Sequence, residues 1–117
     1  MNPAEVVRAA LKAHASLDVD QAMEYLGEDA TFCPAIGYPT YSGREEIRRV
    51  LEGFFKHMTR CDIEIVHVAV AGNVVLTERI DHIVVNGNAH DVCGMGAFEI
   101  SGTKITAWRD YFPSDVA

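Results

Sequence analysis

The chain has 117 residues, 49% of them hydrophobic and 23% charged, which is enough apolar material for one domain to bury a core unaided and too much for a disordered chain. Seventeen acidic side chains against ten basic ones leave a net charge of −7, which repels phosphate backbones and anionic lipid, so neither nucleic acid nor membrane is an expected partner. Cys33, Cys61 and Cys93 are odd in number and outside any CxxC spacing, and Met1 to Glu5 carry no basic segment leading into an apolar run; a cytoplasmic protein without disulfides or a zinc site is expected.

Asn2, Pro3 and Glu5 have the form of N-cap, N1 and N3, and Val6, Ala9, Ala10, Ala13 and Leu17 recur at helical spacing, predicting a helix from Pro3 to Leu17. Asp18 then caps a short second helix through Leu26, with Gly27 in the left-handed position beyond its end. Ala30 to Cys33 reads as a short extended piece, and Pro34, Gly37 and Pro39 impose an irregular loop as far as Tyr41. Ser42-Gly43-Arg44-Glu45 has the S-x-x-E form of a capping box and opens a third helix with Ile47, Val50, Leu51, Phe54, Phe55 and Met58 on its apolar face.

After Thr59 the periodicity changes to β-branched runs, predicting strands near Asp62 to Val70, Val74 to Val85, His90 to Ile100 and Lys104 to Phe112. Gly72-Asn73, Asn86-Gly87 and Ser101-Gly102 separate them at hairpin spacing. The expectation is one α+β domain over residues 1–117, with helices on one face of a curved, mostly antiparallel sheet.

Alternation along Val74 to Val85 places Val75, Thr77, Arg79, Asp81, Ile83 and Val85 on one face and Glu78 and His82 on the other, and periodicity alone does not say which face is inward. On the last strand Thr106, Trp108, Asp110 and Phe112 share a face, so Asp110 lies between two large aromatics where desolvation raises its proton affinity. A guanidinium between two carboxylates suits an acid–base pair whose members differ in environment, and it equally suits a buried structural ion network. His14, His57, His67, His82 and His90 form neither H-x-x-x-H nor H-x-H, so no metal is expected; Cys33 and Cys93 lack a recognisable activating base. Gly94 and Gly96, flanking Met95, make pocket room or mark a bulge, and His90-Asp91 at a hairpin end is expected in solvent. Phe54, Phe55, Met58 and Trp108 are expected as core or pocket wall.

Arg79-Ile80-Asp81, followed after a hairpin by Gly102-Thr103-Lys104-Ile105-Thr106-Ala107-Trp108-Arg109-Asp110-Tyr111-Phe112, resembles the C-terminal half of limonene-1,2-epoxide hydrolase and its relatives. The resemblance implies the cone fold shared with nuclear transport factor 2, ketosteroid isomerase and SnoaL-type cyclases, usually as a homodimer. It also implies cofactor-free hydrolysis in one step: Asp110 takes a proton from water, Asp81 gives one to the epoxide oxygen, and Arg79 sits between them. Trp108, Phe32, Tyr38 and Phe112 are then expected against a small apolar substrate. The chain departs from the family at the Tyr and Asn that hold the attacking water, where Phe32 and Pro34, or Cys33 and Ala35, make no such hydrogen bonds. Tyr25, Tyr38, Tyr41 or a pocket histidine remain as substitutes. A cyclase or isomerase on the same cone, including opening of an epoxide by an internal hydroxyl, and a non-catalytic small-molecule binder are the alternatives.

Overall fold

The computed structural model describes residues 1–113. Asn2 caps helix α1 (Pro3–Ala15): its side chain accepts from the Glu5 N–H at 2.9 Å while the Glu5 carboxylate accepts from the Asn2 N–H at 2.9 Å. Two donors that the first turn leaves free are thereby satisfied. The helix stops at Ala15, short of the expected Leu17, because Leu17 has turned to φ 60°, outside helical space. Its buried stripe is Val6, Val7, Ala10 and Leu11, whereas Ala9 and Ala13 are only half-buried. Asp18 caps α2 (Val19–Met23) by accepting from the Gln21 N–H at 3.1 Å.

Helix α2 ends at Met23, because Leu26 already opens strand β1 (Leu26–Cys33) and pairs with Ile105. Gly27 therefore lies in the strand and caps nothing; a Cβ there would stand 3.3 Å from the Ile105 carbonyl oxygen. The expected Ser42–Glu45 capping box also does not form. Ser42 belongs to β2 (Tyr41–Ser42) and pairs with Thr31, and α3 (Arg44–Lys56) is capped by Gly43 at φ 84° without a side-chain bond. The Gly43 N–H donates to the Ala30 carbonyl at 2.8 Å, so strand pairing displaces the local cap. Arg44 ties α3 to the α2–β1 connection by donating to the Met23 and Leu26 carbonyls.

Strands β3 (Met58–Ala71), β4 (Val74–Val85), β5 (Asn88–Ser101) and β6 (Lys104–Tyr111) form the expected antiparallel meander. Gly72, Asn86-Gly87 and Gly102 take the positive φ of its turns. The full sheet has the order β2-β1-β6-β5-β4-β3, and β1 joins it parallel to β6 with Phe32 beside Trp108. Helices α1 and α3 cover the concave face, burying Val7, Leu11, Ile47 and Leu51 against Phe98, Ile105 and Trp108. Strand β6 carries one extra residue opposite the Glu99–Ile100 step: Ile105 pairs with Ile100 and Ala107 with Glu99, leaving Thr106 bulged, exposed and donating its hydroxyl to the Glu99 carbonyl at 3.2 Å. The bulge removes Thr106 from the face expected for it and turns both Ile105 and Trp108 inward.

Candidate active site

The concave face of β4 carries Val75, Thr77, Arg79, Asp81 and Ile83, which settles the orientation that alternation left open. Register explains how Arg79 on β4 reaches Asp110 on β6 across an intervening strand. Gly96 of β5 pairs with Thr77 on one side and with Asp110 on the other. A Cβ at Gly96 would stand 2.6 Å from Arg79 Nη1 and 2.7 Å from Asp110 Oδ1. Gly94, opposite Arg79, makes the same kind of room for the Phe112 ring, whose carbons would lie 2.6–2.8 Å from an added Cβ. The β4–β5 register runs without interruption, so the two glycines provide space rather than a bulge.

In that space Arg79 is 2% exposed and grips both acids. Nη1 and Nη2 donate to Asp110 Oδ1 and Oδ2 at 3.0 and 3.2 Å, and Nη2 and Nε donate to Asp81 Oδ2 and Oδ1 at 3.1 and 3.4 Å. The guanidinium lies 4.8 Å from the centroid of the Phe112 ring, a cation–π contact. Trp108 Nε1 donates to Asp110 Oδ1 at 2.8 Å, giving Asp110 three N–H donors. Burial pushes the Asp110 carboxyl above its ordinary pKa, and the Arg79 charge and the donated hydrogen bonds offset this only in part. Burial by itself works against the Arg79 cation, but the charges and acceptors of Asp110 and then Asp81 win and hold it protonated.

A cavity of about 100 Å³ opens in front of this cluster. Asp81, Asp110, Phe32 and Phe112 line it, together with Pro34 and Ala35 after β1, Phe54 of α3, and Met58, Ile83 and Val92 of the sheet. Arg79 and Trp108 stand behind the wall, holding the carboxylates. Tyr38 is not among the lining residues and sits edge-on to Phe54 with ring centroids 6.1 Å apart. Cys61 also lines the cavity; burial and then the neighbouring charges of Asp81 and Asp62 push its thiol up to about 12, so it stays protonated. Asp91 pairs with His82 at 2.7 Å, outside this cavity. Among the described residues no three His, Cys, Asp or Glu side chains converge as a metal site.

The sequence reading did not single out His14, which reaches the cavity from α1. A signal was present: His14 stands seven residues from Val7, four from Ala10 and three from Leu11, on the stripe that α1 buries. Its ring packs edge-on to Phe55 and tilted on Trp108, with centroids 5.0 and 5.3 Å apart. Burial, and then the Arg79 charge, lower its pKa to about 4.

The family profile of the limonene-1,2-epoxide hydrolase catalytic domain matches residues 1–116. The chain belongs to this family. Epoxide hydrolase EphG of Mycobacterium tuberculosis (strain ATCC 25618 / H37Rv) is 28% identical over 106 residues, which span 91% of this chain and 70% of EphG. The solved structure of an M. tuberculosis epoxide hydrolase of the limonene-1,2-epoxide hydrolase-like kind superposes with a TM-score of 0.81 at 28% identity, covering 93% of this chain and 80% of that one. SalBIII, an epoxide hydrolase/cyclase-like enzyme in pyran ring formation of the polyether salinomycin, shares the fold with a TM-score of 0.85 at 19% identity, covering 97% and 92%. The architecture is the NTF2-like cone expected from the resemblance. As a limonene-1,2-epoxide hydrolase family member the chain is an epoxide-hydrolase-like enzyme acting on a small molecule. Among the described residues no helix is long and apolar enough to cross a membrane.

Proposed function

We propose that the protein hydrolyses a small, largely apolar epoxide to a diol in one general acid–base step with direct attack by water. The observation that carries this reading is a single guanidinium joining two carboxylates at the wall of an apolar cavity. Asp110 is the base: three N–H donors anchor its ionised form, and burial makes that form a stronger proton acceptor. Asp81 is the acid. The water oxygen bonds to an epoxide carbon as the ring C–O bond breaks; Asp110 takes a proton from the water and Asp81 gives one to the departing oxygen. A proton passing back from Asp110 to Asp81 restores the pair. The chemistry balances without a covalent intermediate or a cofactor, and the contribution of the protein is position and matched proton transfer.

A second reading has its own support. Phe32, Pro34 and Ala35 present no side-chain hydrogen bond to a water at their side of the cavity, and an internal hydroxyl of the substrate would need none. In that case Asp110 would deprotonate the hydroxyl and a cyclic ether would form. Reaction of cyclic and terpene-like epoxides in heavy-oxygen water separates the two, since hydrolysis labels the diol and cyclisation leaves the product unlabelled. Asp110→Asn is expected to lower kcat by at least about 100-fold; full activity would sink both readings. A pure binder would retain its ligand in Asp110→Asn and turn over nothing as the native chain. The reading includes a homodimer, supported by Leu76, Met95 and Tyr111 exposed on the convex face of the sheet. Sedimentation should then give about twice the 12.9 kDa chain mass.

A further inference from the structure

The acid–base scheme leaves one polar side chain of the cavity without a task. His14 lines the same cavity as Asp81 and Asp110, and its ring rests on Trp108, whose indole N–H holds Asp110 at 2.8 Å. Its Nδ1 is closed off from the cavity and has no hydrogen-bond partner among the described residues, whereas Nε2 is not closed off in this way and is the ring nitrogen that a cavity water can reach. Native proteins leave few buried polar atoms in that state. The stripe that brings His14 inward is otherwise aliphatic, so packing alone would be served as well by leucine or methionine. Asp110 Oδ1 already accepts from Arg79 and Trp108, whereas Oδ2, held by Arg79 alone, keeps a site for one more hydrogen.

We propose that His14 is the second holder of the attacking water, which its imidazole and the Asp110 carboxylate grip between them inside the cavity. The inference rests on the hydrolysis reading above. A water whose one hydrogen goes to Asp110 still has a free hydrogen, and rotation about that single bond would swing its lone pair off the epoxide carbon. Acceptance of the second hydrogen by a neutral imidazole fixes the water and leaves oxygen lone pairs free to attack. The lowered pKa of about 4 keeps the ring neutral at neutral pH and therefore able to accept. His14 gains and loses no proton in the step; the proton released by the water goes to Asp110 as before.

The test compares the full chain with His14→Phe, which keeps the ring packing and removes both nitrogens, and with His14→Asn, which restores an acceptor. On an epoxide that the native chain hydrolyses, His14→Phe should lower kcat by about 10- to 100-fold with KM within about twofold, melting no lower than the native chain, and His14→Asn should recover part of the rate. A crystal structure of the native chain should show one water within about 3.2 Å of both a His14 ring nitrogen and an Asp110 oxygen, missing in His14→Phe. Undiminished kcat in His14→Phe, a change in KM alone, or no shared water would overturn the proposal. A native chain that holds this water yet opens no epoxide would overturn the hydrolysis reading and leave the water site standing. Hydrolysis that proceeds equally well in His14→Phe would leave the reading intact and remove His14 from it.

Discussion

At the scale of single residues, Gly96 governs the site as closely as the residues that bear charge. It pairs directly with Asp110, and its absent side chain is the opening through which Arg79 crosses β5. Gly96→Ala would drive a methyl to 2.6–2.7 Å from Arg79 Nη1 and Asp110 Oδ1, whose side chains five hydrogen bonds keep from swinging aside. Overpacking of this kind costs about 1–3 kcal/mol, and a displacement near 1 Å at a reacting group costs about 100-fold in rate. Gly96→Ala should therefore melt only modestly lower by circular dichroism while losing about 100-fold in kcat/KM; a variant with native turnover would show that the Arg79–Asp110 fork does not set the rate. Arg79 and Asp81 were singled out by their resemblance to the family's R-x-D strand, since alternation puts them on one strand face without saying which way it points, and Asp110 also by the two aromatics that flank it. Gly96 was legible only as missing volume, since its role depends on which side chains cross over it. His14 escaped because the apolar stripe of α1 was placed about one residue out of phase, on Ala9 and Ala13 instead of Val7 and Leu11.

At the scale of elements, α1 delivers His14 and its start is held by a reciprocal cap. Asn2→Ala removes the acceptor for the Glu5 N–H, and such losses cost about 0.5–2 kcal/mol. Urea unfolding should show a loss of about 1 kcal/mol for Asn2→Ala and much less for Asn2→Ser; no loss in Asn2→Ala would mean that packing alone fixes the helix start. The caps at Asn2 and Asp18, and the hairpins at Gly72, Asn86-Gly87 and Gly102, were readable because each is decided within a few neighbouring residues. The Ser42–Glu45 motif was equally clear in the sequence and is not used, because β2 pairs with β1 and claims the backbone of Ser42. Gly27 shows the same outcome, drawn into β1 by its contact with the backbone of Ile105. In both places a long-range strand pairing overrides a local signal. The Thr106 bulge also exists only in the β5–β6 register, and it decides that Ile105 joins the core while Thr106 leaves it.

At the scale of the whole molecule, the cavity ties stability to pH. The unfolded chain protonates His14 near 6.5, whereas the folded chain resists until about 4. Stabilisation from the neutral ring is thus fully present above pH 6.5 and is lost as the pH falls through about 4, an effect on the order of 2–3 kcal/mol. Asp110 acts in the opposite sense: its raised folded pKa favours the fold at low pH, and that contribution is lost as the pH rises. The difference between the native chain and His14→Phe isolates the histidine. Urea unfolding from pH 7 to pH 4 should cost the native chain on the order of 2–3 kcal/mol more than the variant, and a constant difference between them would contradict a His14 ring kept neutral by the fold. By itself the sequence determined the α+β class and the hairpin meander, because periodicity and turn residues are properties of short segments, while the charged trio was singled out by its resemblance to the family. Only the tertiary structure decided that β1 lies parallel to β6, that the Arg79 face of β4 points inward, and that His14 shares the cavity with Asp110. Those outcomes rest on contacts between segments far apart in the chain, where burial of one face and the register of paired strands outweigh what any one segment prefers.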